Sequence, residues 1–312
     1  MRHRLEYLLV RLVQWLVRPL PIRVLRRIGG PLGLLVYALD GRHRRIAIEN
    51  LIAAFPGRPP RECRRIARHV FRHVGRLLLE VLKLDGMPAS TLLTLIESDG
   101  DERVREAYRQ GHGVLFFSGH FGYWEMFGVG HPLRVAPFSY VERPLDNPLL
   151  DALLSRVRGQ TGNSSIARQG GVRRMLRELS ANRAVALLID QHLHGPDAID
   201  VQFFGRPAAT TSALAALALR TGAVVIPFFV LPLPDGRYRL IAEHPVPPPE
   251  SDAPDAVREF TQRCTDVIEM YVRRYPELWL WMHRRWRAGD AVAPADAPAP
   301  APAQADELDA DA

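Results

Sequence analysis

The sequence predicts an α/β fold: a mixed central sheet flanked by helices, with an N-terminal amphipathic, membrane-associated helical region. Three observations predict it. Val114-Leu115-Phe116-Phe117 and Ala184 to Ile189 are apolar runs too short for lone helices. Such runs, bounded by glycine or turn residues, read as strands buried on both faces. From Arg61 to Leu84 the residues Ile66, Val70, Phe71, Val74, Leu77, Leu78, Val81 and Leu82 recur at three and four, the period of an amphipathic helix. Leu5 to Val17 is apolar apart from a narrow polar stripe.

With 312 residues, 47% of them hydrophobic, the chain can bury a sizeable core, as one large domain or as one domain with an added helical piece. Residues 1–40 form the membrane-associated segment, 41–287 the main domain and 288–312 a tail of Ala, Pro and Asp whose composition predicts disorder. The formal charge of +7 understates the basicity of the body. Asp290, Asp296, Asp306, Glu307, Asp309 and Asp311 all lie in the tail, which has no Lys or Arg after Arg287. Every basic residue except Lys83 is arginine, whose planar fork suits anionic headgroups, phosphorylated glycolipids or an acidic carrier protein. A GC-rich genome would also raise arginine, so this composition ranks partners without identifying one. No nucleic-acid motif or aromatic interleaving accompanies the basic face. Cys63 and Cys264 lie far apart in helix-like stretches, which points to unpaired core thiols in a reducing setting rather than a disulfide or metal site.

Arg11 interrupts the first apolar segment and Arg18-Pro19-Leu20-Pro21 follows it, so it is expected to stay attached rather than be cleaved as a signal peptide. Arg4, Arg11, Gln14 and Arg18 form its polar stripe, expected to turn toward lipid phosphate while the broad apolar arc lies in the bilayer interface. Glu6 falls off that stripe without explanation. Ile28 to Leu39, broken by Gly29, Gly30, Pro31 and Gly33, is shorter than the ~20 residues a span needs. It reads as interfacial, as packed on the first helix, or as half of a re-entrant hairpin. The polar face of the Arg61–Leu84 helix carries Arg61, Arg65, Arg68, Arg72 and Arg76 with His69 and His73, either solvated or leaning on an anionic membrane surface.

The chemistry centres on Gly113 to Gly130. The strand over Val114–Phe117 ends in Ser118-Gly119 and delivers His120 at the carboxyl end, where ligands bind in open α/β sheets. Glu125, five positions on, is about 140° away on an ideal helix. The two side chains converge only if His120 precedes the first turn and Glu125 lies within it. Gly119 and Gly122 let the backbone bend there and let a substrate approach. A histidine held by a carboxylate is a general base with its orienting partner.

His120-x4-Glu125, within Gly119-His120-Phe121-Gly122-Tyr123-Trp124-Glu125, resembles the H-x4-D/E signature of the glycerolipid acyltransferase superfamily and in particular the lipid A biosynthesis (lauroyl/myristoyl) acyltransferases. Further segments follow in the family's order. Arg44 or Arg45 with Ala47 and Asn50-Leu51 is similar to R-x-x-A-x-x-N-L. Arg143 with Asn147-Pro148 is similar to R-x-x-x-N-P, with Asn147 or Asp146 capping the next helix and Pro148 at its first position. Asp190-Gln191 resembles a strand-D-Q/H element. Val201-Gln202-Phe203-Phe204-Gly205 resembles V-P-F-F-G, with Gln202 in place of Pro, and reads as acyl-chain contact or as core. Pro276 to Trp286 resembles the closing P-E-x-W-x-W-x-H-R-R segment, its tryptophans and arginines suited to a membrane interface.

Ala136 to Val141 and Gly162 to Arg168 read as further strands, Ala208 to Ser212 as the opening of a helix, Ala223–Leu231 with Tyr238–Ala242 as a hairpin, and Ala256 to Arg274 as an amphipathic helix. Asp190, His192 and His194 invite a metal reading, but the remaining ligands of a metallohydrolase pattern are missing, so loop residues near solvent are expected.

The resemblance implies a glycerolipid acyltransferase-like fold on the cytoplasmic face of the inner membrane, with no cofactor and no metal. It implies transfer of a fatty acyl group from acyl-carrier protein or acyl-CoA to a hydroxyl of a lipid A precursor or related glycolipid. His120 would be the base and Glu125 its orienting group, and amides from Gly119 to Gly122 would serve as oxyanion donors. Gly122, Arg143, Arg168, Asp190 and Arg284 would bind substrate. A lysophospholipid or phosphatidylinositol mannoside acceptor is the alternative chemistry, and a silent membrane-surface binding protein the alternative of another class.

Overall fold

The computed structural model describes residues 1–195, 197–250 and 255–286; the tail expected to be disordered lies outside the described residues. Helices come first: α1 (Arg2–Val17), α2 (Ile22–Leu39), α3 (Gly41–Ala54), α4 (Pro60–Leu84) and α5 (Ala89–Thr94). Strands and helices then alternate through β1 (Ile96–Asp99), α6 (Asp101–Arg109), β2 (Val114–Ser118), α7 (Trp124–Gly130), β3 (Phe138–Glu142), α8 (Pro148–Gly159), β4 (Ser164–Ala167), α9 (Val172–Ser180) and β5 (Ala184–Leu188). A hairpin of β6 (Ala198–Phe203) and β7 (Arg206–Thr211) precedes α10 (Ala213–Thr221), β8 (Val224–Pro232), β9 (Tyr238–Ala242) and α11 (Ala256–Arg274).

Seven strands form the central sheet in the order β1-β9-β8-β2-β5-β3-β4. From β8 to β4 the neighbours run parallel, while β9 is antiparallel to β8 and parallel to β1. The sheet is therefore mixed and mostly parallel, with helices on both faces. Strand β2 shows why its sequence lacks alternation. Leu115 and Phe117 enter one core cluster with Val185, Leu187 and Phe229, whereas Val114 and Phe116 enter a second with Ala186, Ile226 and Phe228. A parallel strand covered on both sides has no solvent face to mark with polar residues.

The glycines of the second apolar run do not break it. They seat α2 on α4: a Cβ on Gly33 would lie 2.0 Å from the Phe71 carbonyl oxygen, and one on Gly75 would lie 2.3 Å from that of Gly29. The run is one continuous helix containing Pro31, packed on α4 and not paired with α1 as a re-entrant hairpin.

The polar stripe of α1 also faces the opposite way from expectation. Gln14, 1% exposed, donates to the Leu82 carbonyl and the Asp85 carboxylate. Arg18 donates to the Asp85 carbonyl, and Arg156 of α8 grips the same carboxylate through two nitrogens at 2.8 and 2.9 Å. Arg11, Gln14 and Arg18 of the stripe bind the body while Arg4 is exposed, and the apolar arc of Leu5, Leu8, Leu9, Leu12, Trp15 and Leu16 is exposed as well. Glu6 belongs to the same docking, accepting from Asn147 as well as Arg2. Among the described residues no helix is long and apolar enough to cross a membrane.

Residues 208–211, expected to open a helix, instead complete β7, antiparallel to β6. The turn between the two strands is Phe204-Gly205, both with positive φ, 56° and 66°, as the tightest hairpins require. A phenylalanine tolerates that conformation poorly. Here its amide donates to Glu269 and the Arg273 guanidinium lies 4.4 Å over its ring.

Candidate active site

Strands β2 and β5 lie side by side in register, Ser118 opposite Leu188. Two residues beyond those ends stand His120 and Asp190, so parallel pairing converges groups 70 positions apart in the chain. His120 Nδ1 lies 2.9 Å from Asp190 Oδ1, and the His120 amide donates to Asp190 Oδ2 at 2.7 Å. The indole N–H of Trp279 donates to the same Oδ2 at 2.7 Å. Asp190 is 4% exposed, and burial alone would raise its pKa. The interaction with the His120 ring and the hydrogen bonds from its ring and amide prevail, holding the carboxyl down at about 2. It is ionised throughout the physiological range. The side chain of His120 is 22% exposed, with Nε2 beside the carboxamide nitrogen of Gln191 at 3.4 Å. The Trp124 ring meets the imidazole edge to face at 5.3 Å.

The carboxylate that meets the His120 ring is thus Asp190 and not Glu125, which corrects the expected pairing. Glu125 does lie in the first turn of α7, but its carboxylate turns away. It is 8% exposed and accepts from Arg158 at 2.8 Å through Nε, again through Nη2, and from the Trp124 indole at 3.1 Å. Arg158 also holds Glu142 at 2.8 Å and lies 5.3 Å from the Tyr140 ring centre. The 140° separation on the helix is not overcome, because a buried arginine offers the carboxylate a closer partner.

Gly122 is demanded by the backbone. Its φ of +60° and a position where a Cβ would fall 2.0 Å from the Val230 carbonyl exclude any side chain. Its N–H donates to Leu278 and its carbonyl meets His73 Nε2 at 3.0 Å. His73, expected on the basic face of α4, is 6% exposed, and burial lowers its pKa to about 4. The amides of His120, Phe121 and Gly122 donate to Asp190, Gly119 and Leu278 respectively. Internal bonds already engage these three expected oxyanion donors.

The closing segment lies inside the fold and not at a membrane interface. Trp279 and Trp281 are both 0% exposed. The Leu280 amide donates to the His120 carbonyl, and Asn50 of α3 donates to the carbonyls of Trp281 and His283 at 2.9 and 2.7 Å. Trp279 as the second support of Asp190 was not foreseen. The available signal is that a buried indole N–H needs an acceptor. Arg285 is 1% exposed, bonded to the Ala209 carbonyl and the Thr210 hydroxyl, and burial lowers its pKa to about 10. Arg284 is exposed. Phe203 and Phe204, 1% and 7% exposed, are core residues rather than a loop open to acyl chains.

Arg143 and Arg168 follow immediately after the paired ends of β3 and β4, Glu142 opposite Ala167, and both are exposed. Arg143 pairs with Asp146 at 2.9 Å at the surface. Arg168 precedes α9, whose N-terminus at Gly171 has no side-chain cap. His120, Asp190, Arg143 and Arg168 therefore share the carboxyl rim of four neighbouring parallel strands. Below that rim a small half-open cavity of about 70 Å³ runs between α7, α8 and the sheet. Trp124, Phe127, Phe138, Leu188 and Phe228 give it an apolar lining, and Glu125 and Arg158 reach it already paired with one another.

The mixed α/β sheet thus carries a buried aspartate, a partly exposed histidine and an apolar cavity at its carboxyl end, where α/β folds bind their ligands. The bacterial lipid A biosynthesis acyltransferase model matches residues 1–288. The lipid A biosynthesis lauroyltransferase of Escherichia coli K12 is 31% identical over 90% of this chain and 91% of its own length, and the palmitoleoyltransferase of the same organism 26% over 88% and 89%. A phosphatidylinositol mannoside acyltransferase of Mycolicibacterium smegmatis is 24% identical over 76% and 78%. This chain belongs to the bacterial lipid A biosynthesis acyltransferase family and is an acyltransferase.

Proposed function

We propose that this protein moves a fatty acyl group from an acyl thioester, carried by acyl-carrier protein or coenzyme A, to a hydroxyl of a lipid A precursor. The observation that carries the reading is the His120–Asp190–Trp279 chain beside the apolar cavity. Asp190 fixes the imidazole with its proton on Nδ1, leaving Nε2 as acceptor toward solvent. Nε2 takes the proton of the acceptor hydroxyl as its oxygen attacks the thioester carbonyl. The tetrahedral intermediate expels the thiolate, the C–S bond breaks, the C–O ester remains, and the imidazolium returns its proton to sulfur. The cavity holds the acyl chain. Arg143 and Arg168, one strand apart and next to an uncapped helix start, bind acceptor phosphates, with Arg284 as a further cation toward the acceptor.

The exposed apolar arcs of α1 and of α2, the latter with Ile28, Leu32, Leu35, Val36 and Leu39, lie in the interface of the inner membrane on its cytoplasmic face. Two buried free cysteines accord with that reducing side.

The test mixes the full chain with acyl-carrier thioester and a hydroxylated lipid A precursor and follows the product by mass spectrometry. Acylated product that disappears with His120→Ala supports the reading, and no product from the wild type overturns it. Vesicle flotation checks the anchor. Leu8→Glu with Leu12→Glu should abolish flotation with anionic vesicles while the melting temperature stays put, since both leucines already face solvent.

A further inference from the structure

Trp124 and Gly128 are four positions apart on α7, so they occupy the same face one turn, about 5.4 Å, from each other. Both line the cavity. Trp124 stands at its catalytic end, against the His120 ring. Gly128 stands a turn further in, where Phe127 stacks on Phe228 with ring centres 4.0 Å apart and Phe138 lies behind Phe127 at 5.6 Å. A Cβ built on Gly128 meets nothing within 4 Å, unlike Gly130 in the same helix, whose Cβ would fall 2.4 Å from Ile96. The glycine is not required by packing. Nor does it carry a left-handed conformation, since it is absent from the glycines of positive φ. A residue without a side chain in a helix interior costs about 1 kcal/mol relative to alanine, and neither sterics nor backbone geometry here accounts for that cost. The backbone is nonetheless fixed in place, because its carbonyl accepts from Asn163 and Thr161.

We infer that Gly128 sets the depth of the acyl cavity and thereby the longest fatty chain this enzyme transfers. The inference rests on the reading of that cavity as the acyl subsite. A side chain at 128 occupies the volume that the far methylenes of a long chain would fill, while the catalytic end beside Trp124 stays open. The occupant is a saturated or nearly saturated hydrocarbon tail, because the walls near Gly128 are Phe127, Phe138, Ala186 and Phe228 and the nearby charges of Glu125 and Arg158 neutralise each other.

The experiment compares wild type, Gly128→Ala and Gly128→Leu with a homologous series of saturated thioesters on acyl-carrier protein. Melting curves confirm the fold, and Gly128→Ala is expected to melt at or above the wild-type temperature. The optimum should move to shorter chains in the order Ala, then Leu. Each methylene beyond the new floor should lose about 10–200-fold in kcat/KM, while the shortest donors keep wild-type rates. An unchanged length profile in Gly128→Leu overturns the inference. Binding of unreactive free fatty acids, read by quenching of tryptophan fluorescence, separates the two levels of the argument. If the length limit for binding shifts with Gly128→Leu but no variant transfers acyl groups, the gauge stands and the transfer reading falls. If the binding limit does not move, the gauge falls even where transfer is intact.

Discussion

Replacing Asp190 by asparagine tests the proposed mechanism at its narrowest point. The carboxylate receives three donors: His120 Nδ1 at 2.9 Å on Oδ1, and the His120 amide and Trp279 indole, each at 2.7 Å, on Oδ2. Asparagine has one acceptor oxygen and an NH2. If the oxygen replaces Oδ1, the NH2 faces two N–H groups and both bonds are lost. If it replaces Oδ2, both bonds survive and the NH2 points at the imidazole, which must then be unprotonated at Nδ1. The second arrangement wins by the bonds it keeps, and it places the ring proton on Nε2, the nitrogen that has to accept the substrate proton. A wrong-tautomer histidine costs about 10⁴ in kcat where it has been engineered. We therefore expect Asp190→Asn to lower kcat by about three to four decades, or about 4–5.5 kcal/mol of barrier, with little change in KM. The assay is transfer from an acyl thioester to the lipid acceptor, with the fold checked by melting. Added to His120→Ala, the same change should cost almost nothing more, because the two residues act as a unit. Activity of Asp190→Asn within tenfold of wild type would refute the assignment of Asp190 as the orienting group.

His120→Ala should lose at least about two to three decades of rate, as general-base removal does, measured by the same transfer assay. Asp190 also predicts an acid limb of stability. Its folded pKa of about 2 lies below the ordinary value of 3.8, so it stabilises the fold above pH 4 and that contribution, about 2–3 kcal/mol, is lost as pH falls from about 4 to about 2. Denaturant titrations across that window should show a shallower loss in Asp190→Asn. Asn50→Ala leaves the carbonyls of Trp281 and His283 without their donor and should cost about 1–3 kcal/mol of stability. Activity should fall further than stability, because the segment it clamps carries Trp279.

Several features were legible because they are local. Strands β2 and β5 declare themselves as uninterrupted apolar runs, and α11 falls on its expected bounds because its apolar period is unbroken. Helix α8 carries its own start signal, with Asn147 accepting from the Leu149 amide ahead of Pro148. Local pattern failed where tertiary contacts decide. Ala208-Ala209-Thr210-Thr211 has the small residues of a helix start, but the Thr210 hydroxyl and the Ala209 carbonyl are claimed by buried Arg285. Strand β1, Ile96-Glu97-Ser98-Asp99, is a short polar edge strand with no run to recognise. The partner of His120 was the costliest miss. The H-x4-D/E resemblance points to Glu125, whereas adjacency of parallel strands brings Asp190 to the ring. The warning available in the sequence was an acid placed directly after a buried strand, at the end where α/β sheets bind their ligands.

The inward-facing seam of α1 has a practical corollary. Shortening the protein at its amino end to obtain a water-loving catalytic piece would strip Gln14 and Arg18 from Asp85 and uncover the small cluster that Val17, Leu25 and Leu79 close together. The exposed apolar arc and the structural keystone are the same helix, so detergent is a better companion for this enzyme than scissors.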